Sequence, residues 1–568
     1  MHSFGSILFY TKLFKDASCR ILRGWPPGSS IFATFFVHKI FTFRTTPIHL
    51  SFIYLYYYCH FIILVLCQLV GGVPYFHYIH YIHILSDIPG GHGAAAPHFA
   101  RAVQRGLPPG RQPVLLCCGA PAALPILIGI ALVVYGSGRW LAWLRQRQKG
   151  MRAVLGVCIA ATTAGLAVCK YADLFTTTAQ RALHALQIPV TLQAPNFLLP
   201  MGISFFTLQG ISYLVDLYRE KLPVERNFAY ILLYLSFFPS VSSGPIARAG
   251  DMLPQYRTKR VPSYAQVKRS CLRILWGLLL KLLLADRIAP WITFIYGNPS
   301  KYAGLPVWSA VFLYGIEIYA DFAGYTSMAL GAAGLFGIRL PENFDLPYLS
   351  QSIREFWRRW HISFSSWLRD YVYIPLGGSR CSKKRKYGNI LVTFAVSGIW
   401  HGAGWSFLAW GLLHGVYQIL GDLLRPARAA VCRVLHLREG SRLRTVLCVC
   451  WTFLLVDAAW VFFRAGSAST ALRIFRALFG PQTASLQTLL ENQFTNGLPG
   501  FWLTFIVIGL CIVLECWKRF CGADPYASWL RRPAAVQFIS VLAALLVLLI
   551  FGVYGPSYDA QSFIYAMF

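Results

Sequence analysis

The sequence predicts an all-α, polytopic membrane protein with about ten or eleven transmembrane helices plus amphipathic or re-entrant segments. Three observations predict it. Of 568 residues, 56% are hydrophobic and only 13% charged, and the mean hydropathy is +0.52, more apolar surface than a water-soluble domain can hide. Apolar runs of about 20 residues, enough to cross a bilayer as a helix, recur along the chain. Lys plus Arg number 52 against 21 Asp plus Glu, a net charge of +31. The excess collects in short connectors, as expected of cytoplasmic loops facing anionic lipid.

In chain order the runs fall near residues 49–72, 113–136, 151–170, 196–218, 227–244, 270–295, 306–337, 390–421, 444–463, 500–517 and 536–554. The basic connectors are Arg139 to Arg152, Arg257 to Arg273, Arg380 to Lys386 and Arg425 to Arg444. The 306–337 run is long and holds Glu317, Asp321 and several glycines, a composition that suggests a kink or half-helix.

Residues 1–110 stand apart as an atypical N-terminal extension, and residues 111–568 make up the transmembrane domain. The extension holds nine of the fourteen histidines, the cluster Tyr56-Tyr57-Tyr58 and one convincing span, 49–72. Its histidines have no acidic or Cys partner at ligand spacing. They read as incidental composition, as from a start called too early or a frame error, rather than as a metal site.

Residues 346–375 are too polar to span. Ile353, Phe356, Trp357, Trp360, Phe364, Trp367 and Leu368 recur every three or four positions, with Arg354, Arg358, Ser365 and Arg369 on the other side. That pattern predicts an amphipathic helix in the interface or a re-entrant layer. A wheel at ~100° per residue puts His361 at the edge of the aromatic stripe, facing a boundary between apolar and wet surroundings.

Several classes lose their warrant. Fifteen cysteines include no CxxC pair, and most lie in apolar runs as small hydrophobes. There is no Gly-rich phosphate loop and no nucleophile elbow. The basic residues form no basic-aromatic module for nucleic acid. A transporter of polysaccharide precursors would call for repeat symmetry and a lumen of paired charges, of which the sequence offers little.

What remains is a pair of histidines where histidine is costly. His401 lies in Ser397-Gly398-Ile399-Trp400-His401-Gly402-Ala403-Gly404-Trp405, inside an apolar run, and His361 lies forty residues upstream in Trp357-Arg358-Arg359-Trp360-His361-Ile362-Ser363. A charged side chain at mid-helix costs ~2.5–3.5 kcal/mol on insertion scales. Acyl transfer to a hydroxyl needs a base and a place for a developing oxyanion, and a buried neutral imidazole suits the first task. Glycines beside His401 allow close approach, and Trp400 supplies a rigid wall. The bland readings are interhelical polar glue for His401 and an interfacial residue for His361. His414 lies thirteen residues past His401, ~19 Å along one straight helix, and reads as packing or as a support one layer behind the site. Asp321 could orient a histidine, pair with an arginine of the amphipathic helix, or form a structural ion pair.

These strings, in order and spacing, resemble the membrane-bound O-acyltransferase family, in the branch of the alginate and peptidoglycan O-acetyltransferases. The match runs over about residues 119–568. It includes Pro200 to Thr207, Tyr213 to Arg219, Phe237-Phe238-Pro239, Gly244-Pro245-Ile246, Asp321 to Tyr325 and Arg339 to Phe344. Phe356 to Ser363, Trp367 to Gly378, Gly398 to Trp405 and Trp460 to Ala465 complete it. The resemblance implies a helical fold around a central funnel or tunnel, His401 as catalytic histidine and His361 as the second functional histidine. It implies Asp321, Asn343, Trp357, Trp400 and Tyr565 along the substrate path, and no metal or bound cofactor. The implied reaction carries an acetyl group from a cytoplasmic thioester, acetyl-CoA, across the plasma (inner) membrane to a polysaccharide hydroxyl, directly or through an extracytoplasmic SGNH-type partner. D-alanyl transfer to a wall polymer is the related alternative. Tyr565, near the C-terminus, is either an acyl relay at the tunnel mouth or an interfacial aromatic anchor.

Overall fold

Twenty α-helices and no strand occur among the residues described by the computed structural model, which are 123–147, 150–192, 202–241, 244–258, 261–522 and 524–553. All fall within one unit, Leu64–Phe568. The 1–110 extension with its expected span at 49–72, and Tyr565, lie outside the described residues.

The first three described helices, α1 (Ala123–Gln146), α2 (Met151–Ala185) and α3 (Ile203–Tyr218), pack against one another. The run expected at 227–244 is not one span but α4 (Phe228–Ser236) and α5 (Phe238–Val241), broken at Phe237 and followed by α6 (Ala249–Arg257). Proline at 239 explains the break, since its ring cannot be accommodated in a continuing helix. Next, α7 (Tyr264–Leu279) opens with a capping box between Ser263 and Gln266 and runs through a π-helical stretch, Leu280–Ala285, into α8 (Asp286–Gly297).

The 306–337 run is one continuous helix rather than two half-helices: α9 spans Leu305–Leu335, 31 residues. Its glycines serve contact. A Cβ on Gly324 would lie 2.9 Å from the Gly277 carbonyl, and one on Gly331 would lie 2.6 Å from the Ser270 carbonyl. Helices in lipid gain little from hydrophobic burial against each other, so close backbone approach at small residues carries much of the α7–α9 association.

Short helices follow: α10 (Ile353–Arg359), α11 (Ile362–Leu368) and a π-helical turn, Arg369–Tyr373. The single amphipathic helix expected over 346–375 is therefore divided, with its break at Trp360-His361. The 390–421 run is likewise two helices, α12 (Lys383–His401) and α13 (Trp405–Leu423), reversing at Gly402-Ala403-Gly404 and packed along their lengths. The rest are α14 (Arg425–Val434), α15 (Arg442–Arg464), α16 (Ala468–Leu478), α17 (Leu486–Gln493), α18 (Gly497–Cys521), α19 (Pro525–Leu530) and α20 (Ala534–Phe551).

Among the described residues five helices are long and apolar enough to cross a membrane: Leu124–Gln146 within α1, and α2, α15, α18 and α20. The α13–α14 pair, bent by 60°, makes a sixth if counted as one span. The protein is thus an all-α, multi-pass membrane protein. Fewer of the expected runs stand as plain spans, because several are broken or carry interior charges. The long spans present large apolar side chains outward, among them Val157, Phe175, Trp451, Trp502, Ile506, Val513 and Ile539. Exposure on that scale suits lipid contact, not water. The fully buried tryptophans Trp291, Trp360, Trp410 and Trp460 lie inside.

Candidate active site

His361 sits where α10 ends and α11 begins, at φ +43° and ψ +53°. A left-handed backbone is uncommon for a non-glycine residue and needs local support. Asn343 supplies it. Its backbone carbonyl accepts from the Ile362 N–H at 2.9 Å, and its side-chain Oδ1 accepts from the Ser363 hydroxyl at 2.6 Å and the Ser363 N–H at 3.3 Å. The same Oδ1 lies 3.4 Å from His361 Nδ1. An amide oxygen can only accept, so the network assigns the proton to Nδ1 and basicity to Nε2. Asn343 is itself held by its amide donating to Thr326 Oγ1 at 3.3 Å. Ser363 Oγ in turn accepts from the Ile246 N–H at 3.0 Å.

The break also corrects the expected exposure of His361. The residue is fully buried, packed edge-on to Phe322 at 4.7 Å and beside Phe364 at 5.1 Å. A wheel drawn through 353–368 assumes one continuous helix, and the left-handed residue ends that continuity. Burial pushes the His361 imidazole well below its usual range, and neighbouring His401 pushes it the same way.

His401 is the last residue of α12. Its Nδ1 donates to the Ser397 carbonyl at 2.7 Å, one turn back in the same helix, which leaves Nε2 as the basic nitrogen. Trp400 and Trp410 lie edge-on to its ring at 4.8 Å each, with Phe364 at 5.3 Å and Phe463 at 5.7 Å. The two histidines therefore meet. Both contact Phe364 and Trp400, and Trp400 stacks on Phe364 at 4.3 Å.

Glycines set the position of His401. A Cβ on Gly398 would collide with the Phe407 carbonyl, and one on Gly411 would collide with the Phe394 carbonyl. Only residues without a side chain bring α13 this close against the end of α12. The hairpin also revises the expectation for His414, because reversal replaces a separation along one helix with a lateral one. Trp410 touches both His401, at 4.8 Å, and His414, at 5.3 Å. His414 is fully buried among Phe356, Trp357, Phe394 and Trp460.

Asn343, expected along the substrate path, is completely buried and acts on His361. Trp400 anchors its indole N–H on the Ser204 carbonyl at 3.3 Å. Trp357 packs against Trp410 and His414. Asp321 is ion-paired with Lys281 at 2.8 Å, and Lys281 also meets Asp286 at 2.8 Å. No group of three or more His, Cys, Asp or Glu suited to a metal ion occurs among the described residues.

Lys170 is a site residue that the run lengths conceal. The expected span ends at 170, but α2 continues to Ala185 and leaves the lysine in mid-helix. Its Nζ donates to the Trp400 carbonyl at 2.5 Å and lies 3.5 Å from Ser204 Oγ. An ionisable group inside an apolar helix is the signal that marks His401, and it marks Lys170 too once the helix is drawn to its full length.

Two buried imidazoles with fixed tautomers, inside a helical membrane protein, define a class: an interior site equipped for proton transfer. Comparison narrows the class. A model of the membrane-bound O-acyltransferase family matches residues 218–450. A probable alginate O-acetylase, AlgI, of Azotobacter vinelandii is 35% identical over 336 residues, 59% of this chain and 64% of that protein. A peptidoglycan O-acetyltransferase of Helicobacter pylori is 32% identical over 388 residues, 61% of this chain and 72% of the relative. A teichoic acid D-alanyltransferase of Bacillus subtilis is 32% identical over 236 residues, 39% of this chain and 58% of the relative. The chain spans just under two thirds of the alginate relative's length. The chain belongs to the membrane-bound O-acyltransferase family.

Proposed function

We propose that this protein is a membrane O-acyltransferase that moves an acetyl group from a cytoplasmic thioester, acetyl-CoA, to a hydroxyl of an exported or cell-surface polysaccharide. The observation that carries the reading is the meeting of His361 and His401 on Phe364 and Trp400. Each Nδ1 is held by an oxygen acceptor, so each Nε2 is the nitrogen able to take a proton. His401 takes the proton from the attacking hydroxyl and returns it to the leaving thiol. His361 assists, oriented by Asn343.

Similarity to an alginate O-acetylase and a peptidoglycan O-acetyltransferase supports a polymer acceptor and an acetyl group. The plasma (inner) membrane is the location this chemistry requires, with transfer to the polymer either direct or completed outside by an SGNH-type protein. The excess of basic connectors supports a cytoplasmic face that receives an anionic donor. Similarity to a teichoic acid D-alanyltransferase supports a second reading, D-alanyl transfer to a wall polymer.

The test uses proteoliposomes containing the full chain, acetyl-labelled CoA and a polysaccharide acceptor, with and without an SGNH-type acetyltransferase on the acceptor side. Label should enter the polymer. His401→Ala should lower the rate at least ~10²–10⁴-fold, the usual worth of a general base, with normal membrane insertion. Full activity in His401→Ala overturns the catalytic assignment. Transfer from a D-alanyl carrier but not from acetyl-CoA favours the second reading.

A further inference from the structure

The two histidines explain proton movement but leave the developing negative charge on the acyl oxygen without a partner. In acyl transfer that charge is usually met by preorganised donors, and their removal is among the costlier single changes to a site. Lys170 has the placement for it. It lies near the middle of α2, is 8% exposed, and has no carboxylate in ion-pair contact among the described residues. Its hydrogen-bond acceptors are neutral: the Trp400 carbonyl at 2.5 Å and Ser204 Oγ at 3.5 Å. The first belongs to the peptide bond that joins Trp400 to His401. The ammonium is also 5.9 Å from the centre of the Trp400 ring, the ring that His361 and His401 share.

A buried ammonium without a counter-ion is costly. Lys281, the other lysine buried among the described residues, is paired with two carboxylates. A cation donor with neutral acceptors beside reacting groups is what a transient anion calls for, since the attraction then arises only as the reaction proceeds. Three N–H donors and two protein acceptors leave Lys170 one hydrogen-bonding direction for a further oxygen.

We propose that Lys170 is a further catalytic residue, the positive charge that stabilises the oxyanion formed when the thioester carbonyl is attacked beside His401. The proposal rests on the acyl-transfer reading above. In the step, the acceptor hydroxyl gives its proton to His401 Nε2 while its oxygen bonds to the carbonyl carbon. The carbonyl π pair moves to oxygen, facing the Lys170 ammonium. Collapse restores the carbonyl and breaks the C–S bond, and the departing sulfur receives the proton from His401. Lys170 neither gains nor loses a proton.

The test compares wild type, Lys170→Met, Lys170→Arg and His401→Ala in proteoliposomes with acetyl-labelled CoA. Lys170→Met should lower kcat by about 10²–10³-fold, the range for loss of one oxyanion donor, with KM for the thioester changed less than about threefold because the charge acts on the transition state. Lys170→Arg, which keeps the charge, should recover a substantial part of the rate. The melting temperature of Lys170→Met should stay level or rise, because methionine fills the same space without a buried charge. A Lys170→Met rate near wild type overturns the proposal. So does a Lys170→Met protein that melts lower or fails to fold, with Lys170→Arg restoring stability and rate together, since that pattern is structural. In either case a dead His401→Ala leaves the acyl-transfer reading standing. Absence of transfer by wild type removes that reading and this one together.

Discussion

The α12–α13 hairpin makes the sharpest demand on sequence, because two glycines hold backbone against backbone directly behind His401. A methyl added at Gly411 would collide with the Phe394 carbonyl and lie 3.0 Å from the Gly398 nitrogen. Both obstacles are backbone, so no side chain can swing aside. Ordinary carbon–oxygen contact needs more than about 3 Å, so the helices must part by about 1 Å there. Overpacking of this kind costs ~1–3 kcal/mol, and a displacement near 1 Å at a catalytic group costs about 10²-fold in rate. Gly411→Ala should therefore lower the thermal midpoint of the purified protein and cut acyl transfer by about two orders of magnitude. Gly398→Ala, whose Cβ would meet the Phe407 carbonyl and lie 3.0 Å from the Leu408 Cα, should do the same. The controls lie on the same two helices. A methyl at Gly388 or Gly421 would meet nothing within 4 Å, so alanine there should stabilise by up to ~1 kcal/mol through helix propensity alone. Melting curves and transfer rates of the four variants decide. Equal behaviour of all four would show that the close approach does not set the position of His401.

Other predictions concern the groups around the site. Asn343→Ala removes the acceptor for Ser363 and His361, so it should destabilise by ~1–3 kcal/mol for the stranded donors and slow transfer; unchanged melting and rate would dismiss the orienting role. Lys281→Met takes away the cation shared by Asp286 and Asp321 and should cost ~3–5 kcal/mol as a broken buried pair, which denaturation in detergent can measure. The depressed pKa of His361 makes it a source of acid sensitivity. Unfolded histidine binds a proton below about pH 6.5 while the buried ring resists one, so stability is fully present above that value and is lost as pH falls toward the folded pKa. The drop in melting temperature between neutral and mildly acidic buffer should shrink in His361→Asn; an equal drop would assign the sensitivity to other groups.

Much of this site is legible in the residues alone. His401 stands out because an ionisable side chain in an apolar run demands a reason, and the flanking Gly-Ile-Trp and Gly-Ala-Gly-Trp give that reason a shape. The class of fold follows from run length and charge placement. The details hidden from the sequence share one cause: they depend on contacts between distant segments. A wheel cannot bury His361, because its left-handed backbone is held by Asn343, eighteen residues earlier. Periodicity cannot divide the 390–421 run, because the fit of Gly398 and Gly411 to opposing carbonyls exists only once the hairpin has closed. Asp321 has an obvious charge but no visible partner until α7 and α9 meet at Gly277 and Gly324 and Lys281 is brought to it.

Lys170 sharpens the same point. A span ending at residue 170 makes the lysine look like a flank anchored at the membrane surface, where its charge needs no explanation. The helix continues for fifteen residues beyond it, and that extension alone converts an ordinary boundary lysine into an interior charge. Its two neutral acceptors then come from α3 and α12, each more than thirty residues away in sequence. An interior lysine that pairs with no carboxylate among the described residues, but is bonded to the peptide carrying His401, is costly to stability. A membrane histidine reads as functional because of what it costs, and Lys170 carries the same kind of cost beside the same residue.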